Sequence, residues 1–154
     1  MNITNVYELS TPSFRKAVKR EGIDLLKNNM KLFAVVTPSY MRLSSPLSPI
    51  ERWEVIVCIP SVAKELYCHF PKGNRKPSQK AIFECVNIVS HMTNYEPKTV
   101  LIGNNKISIS VHHHAIKEDI YYYLYNRITK GKLAFVDDVV TKAMNEKTVV
   151  YGFD

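Results

Sequence analysis

Apolar and polar residues alternate in several segments of this chain, and the alternation predicts a protein rich in β-strands. Residues 52–59 read RWEVIVCI, an alternating and strongly apolar run that is typical of a buried strand. The further strand candidates are residues 3–8, 31–36, 66–70 and 148–153. Residues 81–89 are predicted as a long strand, although Ile82, Val86 and Val89 also keep the spacing of a helix.

Two neighbouring segments, 98–103 and 106–112, predict the clearest hairpin. Asn104 and Asn105 are expected to form its turn after Gly103, because Gly and Asn tolerate positive φ. Ile107, Ile109 and Val111 fall on one face of the second strand, opposite Ser108 and Ser110.

Three segments are predicted to be helical: residues 11–20, 118–129 and 135–145. Thr11-Pro12 supplies a hydroxyl cap and a proline at the first helical position. Ile120, Leu124 and Ile128 form an apolar stripe at the helical period. We therefore expect an α+β fold: a single domain dominated by antiparallel sheet, with a basic N-terminal helix and a helix after the main hairpin.

Composition is that of a folded chain with an excess of positive charge. The 154 residues are 45% hydrophobic, enough for one domain, and carry a net charge of +7. No leader pattern and no apolar run of bilayer-spanning length is present, so we expect a cytoplasmic protein without integral membrane association. Cys58, Cys68 and Cys85 are odd in number and lie in apolar runs, which favours buried, reduced thiols over a zinc site.

The excess charge is densest in the loop Pro71–Lys80, which contains four cations and no acid. Its candidate DNA-contacting residues are Lys72, Asn74, Arg75, Lys76 and Lys80. Such side chains can contact the phosphates and the base edges in the grooves of DNA. The alternative interpretation is a solvated loop without a binding function. The basic residues of the first predicted helix are candidates for a second contact: Arg15, Lys16, Lys19 and Arg20.

The triplet His112-His113-His114 is the strongest candidate for chemistry. Two imidazoles on one face of a β-strand can hold a metal ion. Nucleases that cut a single nucleic-acid strand combine such a site with a nucleophilic tyrosine on a helix. Four tyrosines follow the triplet here, at positions 121, 122, 123 and 125. The middle residue is His113 rather than an apolar residue, and we expect no acidic ligand from a neighbouring strand. A polar strand end is therefore the preferred interpretation, and a metal-dependent single-strand nuclease using His112 and His114 is an alternative.

Motifs typical of other active sites are missing from the sequence. It has no Gly-rich phosphate loop, no G-x-S-x-G and no Walker lysine. Paired catalytic carboxylates are not apparent either. We therefore expect a protein that is not an enzyme and needs no cofactor.

The order of features over residues 50–128 resembles a known family. An apolar run ends in Pro60-Ser61, and a second run, LYCHFP, ends in Phe70-Pro71. The basic loop comes next. It is followed by the segment FECVNIVSH, by the hairpin segment TVLIGNNKISISV and by a helix. This order is similar to that of the competence transcription factor (ComK) family. The family's Gly-Ser-Ser-Tyr element is replaced here by SYMRLSSPLSPIER, and no family motif is found after Lys130.

The resemblance implies a sequence-specific DNA-binding transcriptional activator of competence type. It implies recognition of A·T-rich double-stranded DNA through the minor groove, as dimers or higher homo-oligomers, with a regulatory protein as a possible further partner. A narrow A·T minor groove is strongly negative and attracts inserted Arg or Lys. The alternative from another class is a basic membrane-associated or scaffold protein of matrix type.

Overall fold

A computed structural model describes residues 5–38, 52–73, 75–130 and 147–154, which form a seven-stranded sheet with helices on both faces. The elements are β1 (Val6–Glu8), α1 (Pro12–Glu21), α2 (Asp24–Asn29), β2 (Leu32–Pro38), β3 (Trp53–Ile59), a 3₁₀ turn (Pro60–Val62), β4 (Lys64–His69), α3 (Gln79–Ser90), β5 (Lys98–Ile102), β6 (Asn105–His113), α4 (Lys117–Lys130) and β7 (Val149–Phe153). The strand order is β1-β7-β2-β3-β4-β6-β5, and every neighbouring pair is antiparallel.

This architecture confirms the predicted α+β class, the helix after the main hairpin and the basic N-terminal helix. Thr11 caps α1 as expected, since its hydroxyl accepts a hydrogen bond from the Phe14 amide. The predicted helix at 135–145 lies outside the described residues. None of the helices that the structure describes is long and apolar enough to cross a membrane.

Strands β2 and β3 form the centre of the sheet and are covered on both faces. On one face, Ala34 and Val57 join the core cluster beneath α3. On the other face, Phe33 and Ile56 join the cluster beneath α1, α2 and α4. Burial on both sides explains why these two segments are apolar at almost every position.

The strand predicted at Ala81–Val89 is wrong, because this segment lies within the helix α3. The Ser78 hydroxyl caps the helix by accepting a hydrogen bond from the Ala81 amide. Ile82, Val86 and Val89 are buried against the sheet. The helical spacing of the apolar residues, together with the serine cap, outweighs the β-propensity of the individual residues.

The hairpin of β5 and β6 is confirmed, but its turn lies one residue earlier than predicted. Ile102 pairs with Asn105, so the two turn residues are Gly103 and Asn104. Gly103 has φ +61°, a conformation that costs other residues free energy and that is typical of the first position of a type II′ turn.

Replacement of Gly103 by alanine tests this turn. We expect Gly103→Ala to lower the free energy of unfolding by about 1 kcal/mol, because a Cβ disfavours the left-handed conformation. An added Cβ at Gly103 or at Gly73 meets no atom within 4 Å, but only Gly103 has positive φ. Gly73→Ala is therefore the matched control and should change stability little in urea unfolding. Equal effects of the two substitutions would contradict the turn assignment.

Candidate functional site

The predicted basic loop connects β4 to α3, and its cationic side chains are exposed to solvent. They are Lys72, Arg75, Lys76 and Lys80, of which Lys80 lies in the first turn of α3. Asn74 lies outside the described residues. Within the part of the chain that the structure describes, none of the four cations forms an ion pair with a carboxylate.

An open cleft of about 550 Å³ lies between this loop, the beginning of α3 and the β5–β6 turn. Its lining includes Phe70, Lys72, Arg75, Lys76, Ser78 and Asn105. The first turn of α3 contains no acidic residue. The amino end of the 12-residue helix therefore adds its partial positive charge to that of the loop. The arrangement is suited to an anion in the cleft or lying across it.

The basic residues of α1 form a different surface. Lys16, Lys19 and Arg20 are exposed, and Arg20 forms an exposed ion pair with Glu21 at 3.3 Å. Arg15 is only half-exposed, and its Nε is buried. Helix α1 packs on the face of the sheet that also holds α4, whereas the basic loop leads into α3 on the opposite face. The structure therefore does not bring the two predicted groups of cations together.

His112 and His113 are the last two residues of β6 and lie on opposite faces of the sheet, and His114 follows the strand. His113 lies beside Lys64, with 3.5 Å between its Nδ1 and the Lys64 Nζ. His114 contacts the Glu65 carboxylate through Nε2, and His112 lies opposite Glu65 in the strand pairing. The expectation that no acidic residue of a neighbouring strand faces the triplet is therefore wrong. Even so, the described residues contain no group of three or more His, Cys, Asp or Glu side chains arranged to hold a metal ion.

Glu65 belongs to a buried polar cluster between β4 and α4. Glu65 is 3% exposed and Arg127 is 4% exposed. Burial, followed by the charge of Glu65, raises the pKa of Tyr67 far above its usual range. Burial also raises the pKa of Tyr123, against the opposing effect of Arg127, whose guanidinium lies 5.7 Å from the centre of the Tyr123 ring. These groups contribute to the packing of α4 on the sheet.

A second group of polar side chains lies on the same face of the sheet, across β3, β4 and β6. Glu54 Oε1 lies 3.3 Å from His69 Nδ1, and His69 Nε2 lies 2.8 Å from Ser110 Oγ. The Tyr67 ring lies near both His69 and His112, with ring centres 6.2 and 4.3 Å away. Sequence reasoning missed this group because its members come from three strands, and their shared face follows only from the strand register. The one available signal was the polar side chain in each strand at a position that alternates with core residues.

Comparisons of the chain with protein-family models, with curated proteins and with solved structures found no match. The functional proposals below therefore depend on the sequence, on the geometry of the basic loop and its cleft, and on the polar group of Glu54, His69 and Ser110.

The raised pKa values of the half-buried Tyr67 and Tyr123 predict how stability depends on alkaline pH. Unfolded tyrosine ionises near pH 10, while burial keeps Tyr67 and Tyr123 protonated in the folded state. Their contribution is complete below about pH 10 and is lost as the pH rises above it, by up to about 1.4 kcal/mol per pH unit and group. We expect Tyr67→Phe and Tyr123→Phe each to make the fall less steep in urea unfolding between about pH 9 and pH 11. The control is Tyr122→Phe at an exposed position, and an equal change there would contradict the assignment.

Proposed function

We propose that this chain binds double-stranded DNA through the basic loop and the amino end of α3. The observation that carries the proposal is a group of four exposed cations in one loop, with no ion pair to a described carboxylate. Three of them, Lys72, Arg75 and Lys76, line the same open cleft, and Lys80 follows in the first turn of α3. Cations that are not neutralised by neighbouring acids gain the most from contact with a polyanion. Their binding releases counterions condensed on the duplex, which is the main source of sequence-independent affinity.

The position of the loop also favours this function. Its first residues follow β4 directly, where the Phe70 amide donates a hydrogen bond to the Trp53 carbonyl at 3.1 Å. Its last residues are held by the Ser78 cap of α3. Both ends of the loop are thus fixed to the core, which limits the conformational entropy that its cations lose on binding.

The finer part of the proposal follows the resemblance to the competence transcription factor family. In this proposal the protein is a cytoplasmic transcriptional activator that recognises A·T-rich DNA through the minor groove as a homo-oligomer. An arginine or lysine from the loop would enter the narrow groove, where the potential is most negative. Lys16, Lys19 and Arg20 lie on another surface and would serve only a second duplex segment or a second subunit.

Removal of two loop cations tests the contact. We expect the double substitution Arg75→Ala, Lys76→Ala to weaken duplex binding and to reduce the slope of log affinity against log salt by about 2, or about 1 per lost phosphate contact. Fluorescence anisotropy with a labelled duplex at several salt concentrations measures both quantities.

The control for that experiment removes the same charge elsewhere. Lys31 and Lys117 are exposed near the ends of β2 and β6 that lie away from the basic loop. Lys31→Ala, Lys117→Ala should leave the salt slope nearly unchanged. If both double variants bind like the parent protein, the loop is not the DNA contact. Retained binding to anionic vesicles, without binding to duplex, would favour the membrane-associated alternative.

Sequence preference tests the finer part separately. We expect selection from a random pool of duplexes to enrich spaced A·T tracts, because a groove-shape reader gains most where the groove is narrow. The selection is made at two salt concentrations, since non-specific binding falls faster with salt. Binding without enrichment of A·T tracts would leave a DNA-binding protein but overturn its assignment to this type of activator.

A further inference from the structure

We propose that Ser110, His69 and Glu54 form a catalytic group in which a serine nucleophile, a general base and an orienting carboxylate support acyl transfer. The proposal is independent of DNA binding, because the three side chains lie on the face of the sheet opposite α3. The distances are 2.8 Å from Ser110 Oγ to His69 Nε2 and 3.3 Å from His69 Nδ1 to Glu54 Oε1. A nucleophile hydrogen-bonded to a base that is itself oriented by a third group is the geometric signature of nucleophilic catalysis.

The carboxylate of Glu54 determines which nitrogen of His69 carries the proton. An ionised carboxylate only accepts hydrogen bonds, so its position beside Nδ1 favours the tautomer with hydrogen on Nδ1. Nε2 is then the acceptor, and the Ser110 hydroxyl donates its hydrogen bond to it. This direction of the hydrogen bond is the one that prepares the hydroxyl for deprotonation.

The sheet holds the three groups in place. Glu54 pairs with His69 across β3 and β4, and Tyr67 pairs with Ser110 across β4 and β6. The side chains of Glu54 and His69 are 14% and 28% exposed, so packing restricts both of them. Ser110 is half-buried, so part of its surface is accessible to solvent. Groups on paired strands hold their separation better than groups on loops.

The proposed reaction transfers the acyl group of an ester to Ser110. Oγ attacks the carbonyl carbon while its proton passes to His69 Nε2, and a tetrahedral intermediate forms. The bond to the ester's alcohol oxygen then breaks, the proton on Nε2 passes to that oxygen, and an acyl-serine remains. Water then attacks the acyl carbon while its proton passes to Nε2. The bond between the acyl carbon and Ser110 Oγ breaks, the proton on Nε2 passes to Oγ, and the carboxylic acid leaves.

A side chain is available beside the developing oxyanion. At Ser110 the strand β6 pairs with Tyr67 of β4, and its pairing with β5 ends one residue earlier, at Ile109. His112 Nε2 lies 3.5 Å from Ser110 Oγ and is exposed, so its ring can approach the oxyanion as a donor. The Tyr67 ring forms an apolar platform next to both groups. The Tyr67 ring beside Ser110 suits a small ester with an aromatic or apolar acyl group.

Covalent labelling with an alkyl fluorophosphonate tests the proposal. We expect the folded protein to be labelled at Ser110, as located by peptide mass spectrometry, and the urea-unfolded protein to lose the reaction. His69→Gln should slow labelling about 100-fold, because a positioned base contributes a factor of this order. Glu54→Gln should slow it less, and Glu54→Asp should restore part of the rate, as expected of a positioning residue.

The matched control is Ser108→Ala, because Ser108 is an exposed serine two residues earlier on the same face of β6. It should leave the labelling rate unchanged, whereas Ser110→Ala should abolish labelling at this strand. The proposal is overturned if the folded parent protein is not labelled at Ser110. It is equally overturned if the rate at Ser110 does not depend on His69, or if unfolding leaves the reaction intact.

Discussion

The burial of β2 and β3 on both faces is the constraint on which the other features of this structure depend. All seven residues of β2 are buried, and six of the seven residues of β3 are buried. A strand covered on both faces requires helices above and below it, and α3 provides one cover while α1, α2 and α4 provide the other. Removing large apolar side chains from this centre would weaken both layers at once.

Coverage by helices is less complete toward the β5 edge of the sheet. Side chains on the covered part form the core, and those on the less covered part form the candidate catalytic group. On the α3 side, Leu66, Ile107 and Ile109 are still fully buried or nearly so. On the other side, β4 and β6 carry Tyr67, His69, Ser110 and His112, which are half-buried or exposed. The same two strands therefore contribute core side chains on one face and polar side chains on the other, because successive side chains of a strand point to opposite faces.

The sequence was informative wherever one local pattern acted alone. The alternation in 52–59, the Thr11-Pro12 start of α1 and the stripe of Ile120, Leu124 and Ile128 each led to an element that the structure contains. Prediction failed at α3, where the apolar residues fit both periods. The Ser78 cap and the burial of Ile82, Val86 and Val89 against the sheet favour the helix. The short helix α2 was not predicted at all, since six residues contain too few turns for a periodic signal.

The basic loop could be found from sequence because its residues are contiguous, whereas the group of Glu54, His69 and Ser110 could not. Its members come from three different strands, and a shift of one residue in either pairing would turn a member to the other face. The separation of the basic α1 surface from the loop has a similar cause. Composition gives the total charge, but only the packing of helices on opposite faces decides which cations lie together.

The two proposed sites lie near the same end of β4, but they depend on different interactions. His69 is the last residue of that strand and faces the α4 side, and the chain then continues into the basic loop that leads to α3. Phosphate contact depends on exposed charge and weakens with salt, because screening acts on groups in water. Proton transfer between Ser110 and His69 depends on a fixed short distance between partly buried groups, which salt screens far less. A change of ionic strength therefore distinguishes the two activities in the parent protein itself, without any substitution.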